Sequence, residues 1–131
     1  MSPEVDVRRN LQTDLDGLAA ELGADKLLVA DEALERYSRD ETEDLRFLPA
    51  AVALPVSTEE VQPVLRFAFE HRIPVTPRGA GTGLSGGALP HPQGVVLSLA
   101  KLKKILRVDP VARLAVVQPG VRNQSISEAA A

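Results

Sequence analysis

Pro77-Arg78-Gly79-Ala80-Gly81-Thr82-Gly83-Leu84-Ser85-Gly86-Gly87 is the stretch on which the reading of this chain turns. Glycines stand at 79, 81, 83, 86 and 87, separated only by Ala80, Thr82, Leu84 and Ser85. Lacking Cβ, glycine reaches positive φ freely, so successive backbone N–H groups can converge on one point. Such a nest of amides binds an anion, and phosphate oxygens are the usual guest. Thr82 and Ser85 add hydroxyl donors, and Arg78 adds charge at the mouth. The rival reading, a flexible linker, fits poorly with apolar strands set tight against both ends.

Gly81-Thr82-Gly83-Leu84-Ser85-Gly86 satisfies the G-x-G-x-x-G spelling of a dinucleotide fold, which requires a helix to open at the loop. Here Gly87, Pro90, Pro92 and Gly94 follow, and a helix cannot run through them. The acidic ribose ligand expected about twenty residues further on is also missing, with Leu106 in that region and Asp109 beyond a strand. No Gly-Lys-Ser/Thr occurs, so the Walker A loop is excluded. The kinase glycine loop fails because Ala88 replaces its valine and no Val-Ala-Ile-Lys strand follows.

Working outward, Ile73-Pro74-Val75-Thr76 reads as a short strand before the loop, and Val95-Val96-Leu97-Ser98-Leu99 as an apolar strand after it. Upstream, Ala50-Ala51-Val52-Ala53-Leu54 lies between prolines and reads as a buried strand. Ser57 with Glu60 three residues on is a capping box. Val61, Val64, Leu65, Ala68 and Phe69 then give a helix one apolar face. Pro63 inside that helix removes one backbone bond and predicts a bend or an unusual first turn. His71 and Arg72 suit the negative end of the helix dipole.

Further out, Leu11, Leu15, Leu18 and Leu22 keep helical spacing until Gly23 supplies a stop. Residues 24–48 are charge-rich around Tyr37 and read as a solvated face with a short helix near Glu32 to Tyr37. Leu102 to Val108 and Arg113 to Gln118 read as two strands joined by a turn at Asp109-Pro110, and a last helix begins at Gln124. The fold class is therefore α/β (α+β), a mixed sheet with flanking helices. Residues 1–48 read as an N-terminal helical segment and 49–131 as the N-terminal part of a larger domain.

Composition narrows the function. With 131 residues and 44% hydrophobic content the chain can bury one core. A net charge of −3 without a basic block, and only 3% aromatics, argue against a nucleic-acid partner. The absence of cysteine excludes disulfides, thiolate metal sites and cysteine catalysis, and fits a reducing compartment. Met1 to Asn10 has no apolar h-region and no run is long enough to cross a bilayer, so a cytoplasmic location is expected.

The loop and its flanks together resemble the FAD-linked oxidase family with the vanillyl-alcohol-oxidase (PCMH) type of FAD-binding domain. Pro77 to Ala88 is similar to that family's pyrophosphate loop. Ala53-Leu54-Pro55-Val56-Ser57-Thr58-Glu59-Glu60-Val61 is similar to its strand–helix entry, and Val116-Val117-Gln118-Pro119-Gly120-Val121 to its second FAD-contacting turn. Among members, the resemblance is to the glycolate oxidase catalytic subunit and the D-lactate dehydrogenases, and covers residues 31–131.

The resemblance implies the first lobe of the FAD domain. It implies that amides from Arg78 to Gly83, led in by Pro77, hold the FAD pyrophosphate, while Leu84 to Gly87 close around it. Gln118, Pro119 and Gly120 would line the groove. It further implies oxidation of a small 2-hydroxy acid to the 2-keto acid, with an iron–sulfur subunit as a partner of some members. The substrate would be read by a cap that follows the FAD domain, so the chain is expected to be an N-terminal part, inactive and poor at holding FAD alone. No catalytic and no metal-ligating residue is assigned: His71 and His91 match no family position, and the loop has no histidine for covalent flavin. The alternative from another class is a stand-alone, non-enzymatic module that binds a phosphate ligand or a partner.

Overall fold

The structure, a computed structural model, describes residues 3–131, and side chains from residue 11 onward. Helix α1 spans Pro3–Leu22 and is followed by one 3₁₀ turn, Ala24–Lys26. Strand β1 is Leu27–Leu28, helix α2 Asp31–Glu35, strand β2 Ala51–Ala53, and helix α3 Thr58–Glu70. Strands β3 (Val75–Arg78) and β4 (Val95–Ser98) flank the glycine loop. Strands β5 (Ile105–Asp109) and β6 (Leu114–Val117) then form a hairpin before helix α4, Asn123–Ala130.

The main sheet has the order β1-β2-β4-β3. Strand β2 runs parallel to β4, and β4 parallel to β3, while β1 adds an antiparallel edge. The sheet is thus mixed, as the element pattern predicts. Strands β2 and β4 are buried on both faces, which explains their continuous apolar runs. On one face Ala51, Ala53, Val95 and Leu97 meet Leu11, Leu15, Leu18 and Leu22 of α1 and Val64 and Phe67 of α3. On the other, Val52 and Val96 meet Leu34 and Leu54. The period of two that separates these sets is that of a pleated strand. Each leucine so buried contributes about 1.5–3 kcal/mol.

Ser57 caps α3 by accepting from the Glu60 N–H at 3.3 Å. The reciprocal half of the capping box goes elsewhere. The Glu60 carboxylate accepts from the Val56 N–H at 3.1 Å and pairs with Lys26 at 2.6 Å, tying α3 to the 3₁₀ turn. Helix α3 runs unbroken across Pro63. His71 caps its end, lies tilted against Phe67 with ring centroids 4.5 Å apart, and stands 3.6 Å from Asp14 of α1.

Three features differ from the sequence expectation. Strand β1 is short enough to carry no periodicity of its own; its pairing with Ala53 and Val52 creates it. Strand β3 begins two residues later than expected and includes Pro77 and Arg78, because an edge strand tolerates proline. Strand β5 starts at Ile105, since Leu102 is buried in a turn whose N–H bonds the Leu99 carbonyl.

Candidate functional site

The site grows from the carboxyl ends of the parallel strands β3 and β4, where open α/β sheets bind their ligands. Strand β3 delivers Arg78 directly into the glycine loop. Gly81 has φ of 73°, a backbone state that L side chains rarely adopt. The loop is largely exposed. Among the described residues, no backbone N–H from Gly79 to Ser85 donates to another group of the chain. Leu99 and Leu89 instead donate to the carbonyls of Arg78 and Gly86 at 2.9 and 3.2 Å, which pins both ends of the loop. The result is a run of unspent donors between two fixed points.

The opposite wall is the turn after β6. A Cβ on Gly120 would lie 2.5 Å from the Leu99 carbonyl oxygen and 2.8 Å from those of Ala100 and Leu102. The turn therefore lies flat on the β4–β5 connection, held by the Gly120 N–H on the Leu102 carbonyl at 2.8 Å. Gln118 secures the other side. Its N–H donates to the Lys104 carbonyl, and its side-chain oxygen accepts from the Lys104 N–H, both at 2.9 Å.

Between loop and turn lies a groove of about 720 Å³. That volume falls within the roughly 300–1,000 Å³ of small-molecule sites. Arg78, Gly79 and Ala80 line one side, Pro119 and Gly120 the other. Its charged lining is wholly basic: Arg36, Arg78, Lys103 and Arg122, with no carboxylate among the lining residues. A chain of net charge −3 thus gathers basic side chains where the Gly79 and Ala80 end of the loop lines the groove.

The sequence-predicted residues divide by position. Arg78, Gly79, Ala80, Pro119 and Gly120 meet in the groove, while Gly81 lines the other side of the loop, where Arg39 and Arg46 stand among Asp40, Glu41, Glu43 and Asp44. Gln118 closes the turn with its side chain and does not line the groove. Leu84 is exposed, and Thr82, Gly83, Ser85 and Gly87 lie on the exposed rim. Pro77 is a strand residue paired with Leu97. Gly86 gives its N–H to the Thr42 hydroxyl at 2.8 Å. His91 is exposed and its Nδ1 accepts from the Gln93 N–H at 3.1 Å, a local loop contact.

Sequence reasoning missed the segment before β2. Residues 37–42, read as part of a solvated face, lie against the loop. Ser38 is fully buried and Asp40 is 7% exposed. The Glu41 N–H donates to the Gly83 carbonyl at 3.0 Å, and the Arg78 guanidinium donates to the Arg39 carbonyl at 2.8 Å. The same guanidinium stands 5.5 Å from the centre of the Tyr37 ring. The Thr42 hydroxyl and N–H hold the Asp40 carboxyl below the usual aspartate value. Among the described residues there is no cluster of acidic, histidine or cysteine side chains able to hold a metal.

This fold occurs in solved flavoenzymes. The structure superposes on p-cresol methylhydroxylase with a TM-score of 0.78 and 28% identity, covering 98% of this chain and 25% of that one. Fold and loop together define the chain as an FAD-binding domain of the p-cresol-methylhydroxylase type. Residues 49–131 match the sequence family described as FAD binding domain, and the chain belongs to that family. The glycolate oxidase subunit GlcD of Escherichia coli (strain K12) is 48% identical over 106 residues, which are 81% of this chain and 21% of that protein. A D-lactate dehydrogenase of Archaeoglobus fulgidus is 44% identical over 100 residues, 73% of this chain and 22% of that protein. The chain spans about a fifth of the length of these curated relatives. Its cofactor is FAD. No helix among the described residues is long and apolar enough to cross a membrane.

Proposed function

We propose that this chain is the cofactor-holding part of an oxidoreductase that converts a 2-hydroxy acid, of the glycolate or D-lactate kind, into the 2-keto acid. The observation that carries the reading is the run of free N–H groups from Gly79 to Ser85, which opens at Gly79 and Ala80 onto a groove whose charged lining is basic. Free donors at a concave, positive surface fit a pyrophosphate, which presents several acceptor oxygens and two negative charges. The names of the relatives supply the substrate class.

In this reading the amides from Gly79 to Gly83 hold the pyrophosphate, and Arg78 supplies charge beside them. Thr82 and Ser85 contribute hydroxyl donors, while Leu84, Gly86 and Gly87 close the loop behind the ligand. Arg36, Lys103 and Arg122 neutralise the phosphates from the groove floor and far wall. Pro119 and Gly120 shape that wall, and Gln118 acts on it by fixing the turn. Pro77 keeps the end of β3 extended, so that Arg78 and Gly79 enter the groove in register. When bound, FAD would supply the two-electron acceptor that oxidation of the substrate's hydroxyl-bearing carbon requires. We place the enzyme in the cytoplasm, with the FAD held noncovalently in this region, residues 49–131 as the part of the FAD-binding domain that carries the loop and the turn, and an iron–sulfur subunit as a partner.

The test uses the protein as its gene encodes it. Flavin absorbance should copurify, and glycolate or D-lactate should bleach it without oxygen. A protein that purifies without flavin and takes none up overturns the reading. A loaded protein that no 2-hydroxy acid bleaches overturns the substrate class alone.

A further inference from the structure

We propose that Tyr37 to Thr42 forms the fixed jaw behind the glycine loop, and that Asp40 and Thr42 are positioning residues that set the loop's shape for its ligand. The inference rests on the phosphate-binding reading of the loop, but the jaw itself stands on separate contacts. It lies outside the 49–131 span that matches the family.

The jaw is braced by contacts of its own. The Ser38 hydroxyl donates to the Glu35 carbonyl at 2.6 Å, and the Phe47 N–H donates to the Ser38 carbonyl at 2.9 Å. Arg46 pairs with the Glu35 carboxylate through two guanidinium nitrogens. Leu34, just upstream, is 1% exposed and packs on Val52 and Val96 of the sheet. From this base the segment reaches the loop at three places: the Gly83 carbonyl, the Gly86 N–H and the Arg78 guanidinium. These contacts bracket the run of free amides and leave it unspent.

Asp40 gives the jaw its second function. Its Oδ1 accepts from the Thr42 N–H at 2.8 Å, which turns the Thr42 hydroxyl toward Gly86. Its Oδ2 is buried and has no hydrogen-bond partner among the described residues. A Cβ on Gly83 would lie 3.8 Å from that oxygen, so the unspent acceptor faces the loop. The Ala88 N–H already favours the charged carboxylate, without reaching hydrogen-bond geometry with Oδ2. Buried acceptors in native proteins are nearly always paired, so this oxygen is free to take a donor from the loop it faces. When a ligand draws the N–H groups of Gly79 to Gly83 into the groove, the stretch from Gly83 to Ala88 settles onto Oδ2, and Asp40 favours the tightened loop.

Amide hydrogen exchange tests this, first without cofactor. Thr42→Val removes the acceptor of the Gly86 N–H. Exchange at Gly86 should rise about tenfold or more, as the loss of one net hydrogen bond implies, while Val52 and Val96 keep their protection. Thr42→Ser retains the hydroxyl and should restore the slow rate. With FAD present, the wild-type stretch from Gly83 to Ala88 should gain protection, and Asp40→Asn should lose most of that gain and weaken FAD binding about tenfold. Wild-type exchange at Gly86 in Thr42→Val, or a full FAD-induced gain in Asp40→Asn, overturns the proposal. So does a loss of core protection in Asp40→Asn, which would make the residue a general prop. If FAD protects nothing in any variant, the phosphate reading fails, while the cofactor-free comparison still decides the jaw.

Discussion

Replacing Gly120 by alanine should damage the groove's far wall and the fold together. The new Cβ would stand 2.5 Å from the Leu99 carbonyl oxygen, where ordinary contact begins at 3.4 Å, so the turn must retreat by about 0.9 Å. Retreat cannot be avoided by rotating a side chain, because the three crowding atoms are backbone carbonyls. It also stretches the 2.8 Å bond from the Gly120 N–H to Leu102. Overpacking of this kind costs about 1–3 kcal/mol, and a lost backbone bond about 1 kcal/mol more. The expected loss is about 2–4 kcal/mol, which lowers Tm by roughly 6–20 °C for a chain of this length. Urea and thermal unfolding measure the loss, and flavin fluorescence measures the groove. FAD affinity should fall, since Pro119 and Gly120 move away from the loop. A Gly120→Ala variant with unchanged Tm and unchanged FAD affinity would refute the account of how the turn is held.

Gly79→Ala should separate stability from binding. A Cβ there meets nothing within 4 Å, so stability should hold or rise by about 0.4–1 kcal/mol, while FAD titration shows weaker binding because the new methyl intrudes on the free amides. Leu34→Ala should cost about 2–5 kcal/mol, read as a lower urea midpoint, since Leu34 fills the core beneath the jaw. Lys103→Ala and Arg122→Ala should weaken FAD binding, and the weakening should shrink as salt is raised. Glu60 contributes to the pH dependence beside Glu35 and Asp40: the Lys26 side chain, then the Val56 N–H, hold its carboxyl below the usual glutamate value of 4.5. A depressed folded pKa means the unfolded chain binds more protons, so this contribution is full above 4.5 and is lost as pH falls through the folded value. Glu60→Gln should flatten the acid limb of a stability–pH curve between those two values, and an unchanged limb would remove Glu60 from the explanation.

What was legible in the sequence follows the range of the interactions. The helix of Leu11, Leu15, Leu18 and Leu22, the Ser57 cap and the buried strands are local patterns, and each has its counterpart in the fold. The Asp109 turn is equally local, with its carboxylate accepting from the Ala112 N–H at 2.9 Å. The glycine loop announced its amides by composition, and the prolines after it excluded a dinucleotide helix. The jaw was illegible for the opposite reason. Thr42 meets Gly86 across 44 positions, and Arg39 meets Arg78 across 39. Seen without those partners, Asp40, Glu41, Glu43 and Asp44 read as a solvated acidic face. The signal present was the Asp40-Glu41-Thr42 triplet, in which an aspartate bonds the backbone two residues on, a sign of a fixed turn. Gln118 shows the same limit: its place in the turn was readable, but its use in closing the hairpin onto Lys104 needed the register of β5 and β6.

The most direct measurement is a proton–nitrogen NMR titration of this chain with FAD, which registers weak as well as tight binding residue by residue. The account predicts that the largest shifts fall on the amides of Gly79 to Ser85 and of Gly120 to Arg122, and that riboflavin, lacking the pyrophosphate, leaves the loop unmoved. Absence of shifts at millimolar FAD, or shifts centred away from both loop and turn, would contradict it.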